Sequence, residues 1–83
     1  MPREIPMDCN PVIEVDGSVV ARALGLEAEA FRELLARQRI TQLCERGTGA
    51  EAGLYRASFY YGRRRARLVV DQAGRLQGEV ESR

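Results

Sequence analysis

The sequence predicts one small α+β domain with the element order β-α-α-β-β-β: a strand, a two-helix corner, and a three-stranded antiparallel meander. Apolar residues with helical spacing are confined to the first half of the chain, whereas the second half alternates apolar and polar residues. At 83 residues the chain has room for a single core. We therefore expect one domain over residues 12–80, a loose lead-in over 1–11 and a tail over 81–83.

The first predicted elements are a strand and a short helix. Val12-Ile13-Glu14-Val15 is rich in β-branched residues, which favour strands. Asp16 or Ser18 can then accept hydrogen bonds from the free amides at the start of a helix. This helix is predicted to run to about Leu24 and to end at Gly25, a residue type that adopts the left-handed conformation without penalty.

A second helix is predicted from about Ala28 to Arg37. Its apolar residues Phe31, Leu34 and Leu35 recur at i, i+3 and i+4, which places them on one face. We expect that face to be buried and the two helices to pack on each other as a corner.

The second half of the chain predicts three strands, Ile40 to Arg46, Leu54 to Tyr61 and Arg64 to Asp71. With Gly62-Arg63 as a two-residue turn, the last two strands pair so that one face is apolar and the other basic. The expected pairs are Tyr61–Arg64, Phe59–Ala66, Ala57–Leu68 and Tyr55–Val70 on the apolar face, and Tyr60–Arg65, Ser58–Arg67 and Arg56–Val69 on the basic face. Residues 75–80 fit either a short C-terminal edge strand or coil.

Four short segments of the sequence match the pattern of a known family. They are Ile13-Glu14-Val15-Asp16, Leu24-Gly25-Leu26 ahead of Phe31, Ile40-Thr41 leading to Cys44-Glu45-Arg46-Gly47, and Leu68-Val69-Val70-Asp71. Together they resemble a small bacterial family, domain of unknown function 6522. The resemblance implies a stand-alone domain with a strand, a helix pair and a β-meander. Since that family has no assigned activity, the resemblance implies no functional residue.

Positive charge is concentrated in the predicted hairpin. Residues 54–75 hold six arginines and one carboxylate, although the net charge of the chain is only +1. The candidate residues for binding an anion or a partner are Arg56, Tyr60, Arg63, Arg64, Arg65 and Arg67. Such a face can follow a phosphate backbone and stack a base, can dock an acidic protein, or can be merely solvated, with arginine stems covering Tyr60 and Val69.

The helix pair resembles a helix-turn-helix, and together with the hairpin it resembles a winged helix. However, Glu27, Glu29 and Glu33 occupy the start of the second helix, where a DNA reader needs side chains that bind phosphates and base edges. A purely architectural corner of two helices requires the same small and apolar residues. Nucleic acid is therefore the disfavoured partner.

Catalytic and metal chemistry have little support in the sequence. The chain has no His, no G-x-S-x-G motif and no phosphate-cradling glycine loop, so we expect no enzymatic activity and no cofactor. Cys9 and Cys44 lack a C-x-x-C motif and are expected to be small buried side chains; a disulfide would require their backbones to lie close. With no secretory signal or membrane-spanning stretch in the sequence, we expect a cytoplasmic protein without membrane contact.

These observations leave two hypotheses. The leading one is a small non-catalytic interaction module that binds a protein or a second copy of itself through the arginine-rich hairpin face or an exposed strand edge. The alternative is a nucleic-acid-binding regulator that uses the winged-helix-like helix pair and the hairpin.

Overall fold

The computed structural model describes residues 4–9 and 12–83, which form two antiparallel sheets and two α-helices. The elements are β1 (Glu4–Asp8), β2 (Val12–Asp16), α1 (Gly17–Ala23), α2 (Ala28–Ala36), β3 (Thr41–Arg46), a 3₁₀ turn (Gly49–Glu51), β4 (Leu54–Tyr61), β5 (Arg64–Asp71) and β6 (Glu81–Ser82). From β2 to β5 this is the predicted β-α-α-β-β-β order. The predicted α+β class is therefore confirmed.

Both predicted loose ends contain strands. The lead-in assigned to residues 1–11 contains β1, which pairs antiparallel with β2; residues 1–3, 10 and 11 of that segment lie outside the described part. β1 includes Pro6, which is tolerated because a strand in a two-stranded sheet has a free edge. At the other end, β6 pairs with β5 within the predicted tail, whereas residues 75–80 contribute only one isolated bridge, from Leu76 to Val70.

The core lies between one face of the β3–β6 sheet and a cover made of α1, α2 and the β1–β2 hairpin. Phe31 of α2 and Phe59 of β4 meet edge to face, with ring centroids 6.1 Å apart, and both are almost fully buried. Six residues of the sheet face predicted to be apolar are buried: Tyr55, Ala57, Phe59, Ala66, Leu68 and Val70. At the turn end of that face, Tyr61 is half-buried and Arg64 is exposed. We call this the inner face.

The corner between the helices is closed by the predicted caps. Asp16 Oδ1 accepts a 2.9 Å hydrogen bond from the Ser18 amide at the start of α1. After α1, Gly25 has a φ of +74°, and the Leu26 amide donates to the Ala21 carbonyl at 2.8 Å. This is the backbone closure typical of a helix that ends at glycine, and it sets the direction in which α2 leaves the corner.

Candidate interaction surface

The outer face of the β3–β6 sheet is the side opposite the core. β4 and β5 pair in the predicted register, so the outer-face pairs are Arg56–Val69, Ser58–Arg67 and Tyr60–Arg65. Residues paired across a ladder point to the same side of the sheet. Strand pairing therefore adds Thr41, Leu43 and Glu45 from β3, and Glu81 from β6. Since the helices and the β1–β2 hairpin pack on the inner face, they leave this face uncovered.

Arg56 lies between two shallow depressions on the outer face. One, of about 190 Å³, is lined by the end of β3 and the loop that follows it. The other, of about 200 Å³, is lined by Arg67 and by carboxylates near the C-terminus. Arg56 Nη2 lies 3.9 Å from Glu51 Oε2, and both side chains are largely exposed. Because such exposed pairs contribute little stability, Glu51 holds the guanidinium of Arg56 only weakly.

Ser58 is fully buried although it belongs to the outer face. Its Oγ accepts a 3.4 Å hydrogen bond from Arg67 Nε. The guanidinium group of Arg67 thus provides a hydrogen-bond partner for the buried hydroxyl. For Arg65, the described residues include no hydrogen-bond or ion-pair partner of the guanidinium. Arg65 is therefore the arginine of this face that can be changed with the least disturbance to packing.

Two of the six candidate residues do not lie on the outer face. Arg64 is paired with Tyr61 on the inner side, and its Nη1 donates a 2.9 Å hydrogen bond to the carbonyl oxygen of Leu24 at the end of α1. A Cβ at Gly25 would overlap this same Nη1, so glycine leaves the room for the approach. Arg63 lies exposed in the turn. The candidates on the outer face are thus Arg56, Tyr60, Arg65 and Arg67.

Carboxylates are interleaved with the arginines of the outer face. Glu45 lies opposite Arg56, and Glu81 lies opposite Arg67. Charge counting along the sequence missed both acids because they lie outside residues 54–75. The pairing of β3 with β4 places Glu45 on the outer face, and the pairing of β5 with β6 places Glu81 there. The sequence alone predicts neither pairing register. The outer face therefore has mixed charge rather than a uniformly positive one.

β3 forms an open edge of the sheet. The strand order is β3-β4-β5-β6, so in the described structure β3 has only β4 as a neighbour. The far side of β5 is covered, because β6 pairs with it and the Gln77 amide donates to the Val69 carbonyl. At the middle of β3, Leu43 is 48% exposed. An exposed edge with a central apolar residue is available for pairing with another strand.

Cys9 and Cys44 form a disulfide, so the prediction of two separate buried thiols was wrong. Their Cα atoms are 5.3 Å apart across a sequence separation of 35, a distance typical of disulfides. Cys44 is paired with the buried Ala57 and so lies on the inner face. The bond therefore ties the end of the N-terminal hairpin to the inner side of edge strand β3. Nothing in the sequence spacing shows that β1 folds back onto β3.

The start of α2 is acidic at the surface. Glu27 and Glu29 are exposed, and the Glu33 carboxylate lies 2.7 Å from the Arg37 guanidinium one turn further along. The residue of α2 that is fully buried is Phe31, which contributes to the core. The apolar pattern that resembles a helix-turn-helix therefore also serves the packing of a corner on a sheet.

Asp71 organises the turn that follows β5. Its Oδ1 accepts 2.9 Å hydrogen bonds from the amides of Ala73 and Arg75, and its Oδ2 accepts one from Arg75 Nε. These bonds, above all the one from the Arg75 amide, hold the pKa of Asp71 below its ordinary value. The Asp71 carboxylate thus stabilises the turn, and we do not count it among the candidate binding residues.

Comparison with known proteins bears out the resemblance seen in the sequence. A family model described as a family of unknown function (DUF6522) matches residues 3–80. The chain belongs to the DUF6522 family. No curated protein and no solved structure matches the chain significantly.

Membership in the DUF6522 family assigns no role to any residue, because the family's function is unknown. The matched range includes β1 to β5, both cysteines and all six candidate residues, and it ends just before β6. The function of this DUF6522 domain must therefore be argued from its surface.

Proposed function

We propose that this DUF6522 domain is a non-catalytic module that binds a protein partner on the outer face of its β3–β6 sheet. The observation that supports this is an uncovered face on which arginines and carboxylates alternate near Tyr60. Tyr and Arg are enriched among the residues that dominate protein interfaces. A mixed pattern of charges also favours a partner with the complementary pattern, since matched charges steer and align two proteins.

Nucleic acid is less well suited to the same face. A phosphate backbone is uniformly negative, and its affinity for proteins depends mainly on arginine and lysine contacts. On the outer face, Glu45 and Glu81 stand directly opposite Arg56 and Arg67. A phosphate backbone that contacted Arg56 and Arg67 would therefore also lie close to the carboxylates of Glu45 and Glu81.

The cytoplasmic location is a prediction from the sequence, and the state of the disulfide in cells tests it. No helix of the described residues is long and apolar enough to cross a membrane. Disulfides persist in oxidising compartments and are rare in the cytosol. Alkylation of thiols in intact cells, followed by mass spectrometry, measures the state of Cys9 and Cys44 directly. Alkylated cysteines would support the cytoplasmic location predicted from the sequence, whereas a protected pair would support an oxidising compartment.

The test of the binding function is photo-crosslinking in the native host. A photo-reactive phenylalanine analogue replaces Tyr60 on the outer face in one strain, and Glu29 on the exposed start of α2 in a control strain. The proposal predicts an adduct at position 60 that is absent at position 29, is removed by protease and resists nuclease. A nuclease-sensitive adduct at position 60, or equal labelling at both positions, would contradict it.

A further inference from the structure

We propose that β3 of one copy pairs antiparallel with β3 of a second copy, with the two-fold axis passing through Leu43. Each copy contributes a four-stranded sheet, so the pairing creates one continuous sheet of eight strands. This inference goes beyond the proposed function, because it identifies a second copy of the chain as the occupant of the open edge and is independent of what binds the outer face.

The β3–β4 ladder identifies which backbone groups of β3 are available. The Gly47 amide donates to the Leu54 carbonyl at 2.9 Å, next to the end of the ladder. In an antiparallel pair, hydrogen-bonded and non-hydrogen-bonded positions alternate along each strand. Positions 41, 43 and 45 therefore direct their amides and carbonyls towards β4. Gln42 and Cys44 direct theirs away from it, towards the open edge.

β3 has few of the features that protect an edge strand. Its six residues, Thr41–Arg46, include no proline and no lysine, and their pairing with β4 runs without a bulge. The charged side chains are confined to its last two positions, while the exposed Leu43 lies at its middle. Native proteins commonly block open edges with prolines, bulges or charged side chains. The first four residues of β3 carry none of these devices, so this part of the edge is suited to pairing.

The sequence of β3 is self-complementary in one register. With the axis at Leu43, the two Leu43 side chains face each other in a non-hydrogen-bonded pair, where cross-strand side chains lie closest. The same register places Thr41 opposite Glu45 of the second copy and Gln42 opposite Cys44 of the second copy. It contains no pair of like charges.

Registers centred later in β3 are less favourable. An axis at Cys44 places Leu43 opposite Glu45 of the second copy, and an axis at Glu45 places two carboxylates directly opposite each other. Like charges directly opposite destabilise a ladder. The Leu43-centred register pairs the exposed leucine with itself, which favours a second copy as the occupant, since a two-fold contact requires a strand that complements itself.

The disulfide anchors β3 at this edge of the sheet. Cys44 is bonded to Cys9 from the inner side of the sheet. Its backbone groups, directed along the plane of the sheet, remain available to a second strand. The bond also holds β3 at the rim of the core, so the edge is fixed before a second copy arrives.

Sedimentation velocity from micromolar to millimolar protein tests the pairing with three variants. Leu43→Asp places two carboxylates at the axis. Gln42→Pro removes an amide that points away from β4 and so spares the β3–β4 ladder. Val12→Asp is the matched control, because Val12 is also an exposed apolar strand residue, at 63% exposure, but lies in the other sheet. Circular dichroism verifies that each variant is folded.

The wild type and Val12→Asp should dimerise with the same concentration dependence, whereas Leu43→Asp and Gln42→Pro should each weaken association about tenfold or more. A wild type that stays monomeric throughout, or a dimer that survives both edge variants, would overturn the proposal. A photo-reactive analogue at position 43 tests the register: adducts should map to residues 41–45 of the second copy, and adducts elsewhere would refute the Leu43-centred axis.

The two proposals fail separately. A wild type that stays monomeric would overturn the pairing of β3. If the adduct at position 60 is protease-sensitive and contains a different protein, the proposed function still stands. A wild-type dimer that is weakened by the two edge variants would support the pairing of β3. A nuclease-sensitive adduct at position 60 would then overturn the proposed function alone.

Discussion

Removing the disulfide should cost this domain a large part of its stability. Replacing both Cys9 and Cys44 with alanine opens a loop closed across a sequence separation of 35. For a loop of that length, the loss of constraint on the unfolded chain corresponds to about 4 kcal/mol of unfolding free energy. The whole domain is expected to have only about 4–12 kcal/mol, from about 0.05–0.15 kcal/mol per residue. The variant should therefore retain no more than about 8 kcal/mol and unfold far more easily than the wild type.

Urea unfolding followed by circular dichroism measures this effect. The oxidised wild type should unfold at a much higher urea concentration than the double variant. A phosphine reductant should lower the wild-type midpoint to nearly that of the variant and leave the variant itself unchanged, which serves as the internal control. If the oxidised wild type and the variant differ by less than about 1 kcal/mol, the covalent bond does not hold the N-terminal hairpin on the sheet, and the reasoning is refuted.

Three further predictions follow from named contacts. Phe59→Ala should cost about 3–5 kcal/mol because the ring is fully buried, whereas Arg65→Ala on the outer face should cost under about 0.5 kcal/mol; similar urea midpoints for both would contradict the facing of β4 and β5. Arg64→Ala should lower the unfolding free energy by about 1 kcal/mol through loss of its bond to the Leu24 carbonyl, and an unchanged midpoint would show that this bond contributes nothing. Because the pKa of Asp71 is lowered in the folded state, the stability that its carboxylate contributes is present above the unfolded pKa and is lost as the pH falls through the folded pKa. Asp71→Asn should therefore flatten the acid side of a plot of melting temperature against pH. An unaltered plot would exclude this role.

The β4–β5 hairpin was predictable from the sequence residue by residue. Its two-residue turn and its period-two alternation define one register, because a slip by one residue would bury the arginines. The observed strands and every predicted pair agree with that register. The caps of α1 were predictable for a similar reason, since Asp16 and Gly25 act on residues close to them in sequence.

The features that escaped prediction depend on long-range placement. Cys9 meets Cys44 only once the β1–β2 hairpin docks against the inner side of β3, and Arg64 reaches Leu24 only once α1 lies over the hairpin turn. Glu81 enters the outer face through a strand of two residues, which is too short to leave a recognisable pattern. Local propensity contains no information about such contacts, so the mixed charge of the outer face emerged only from the structure.

The most direct test of the central claim combines the crosslinker at position 60 with charge reversal beside it. Arg65→Glu changes the residue paired with Tyr60 on the outer face, and Arg39→Glu is the matched control, an exposed arginine outside the β3–β6 strands. If the outer face binds a protein, the protease-sensitive adduct should be lost in Arg65→Glu and retained in Arg39→Glu. Equal adduct yields in the two backgrounds would contradict the assignment of this face as the binding surface.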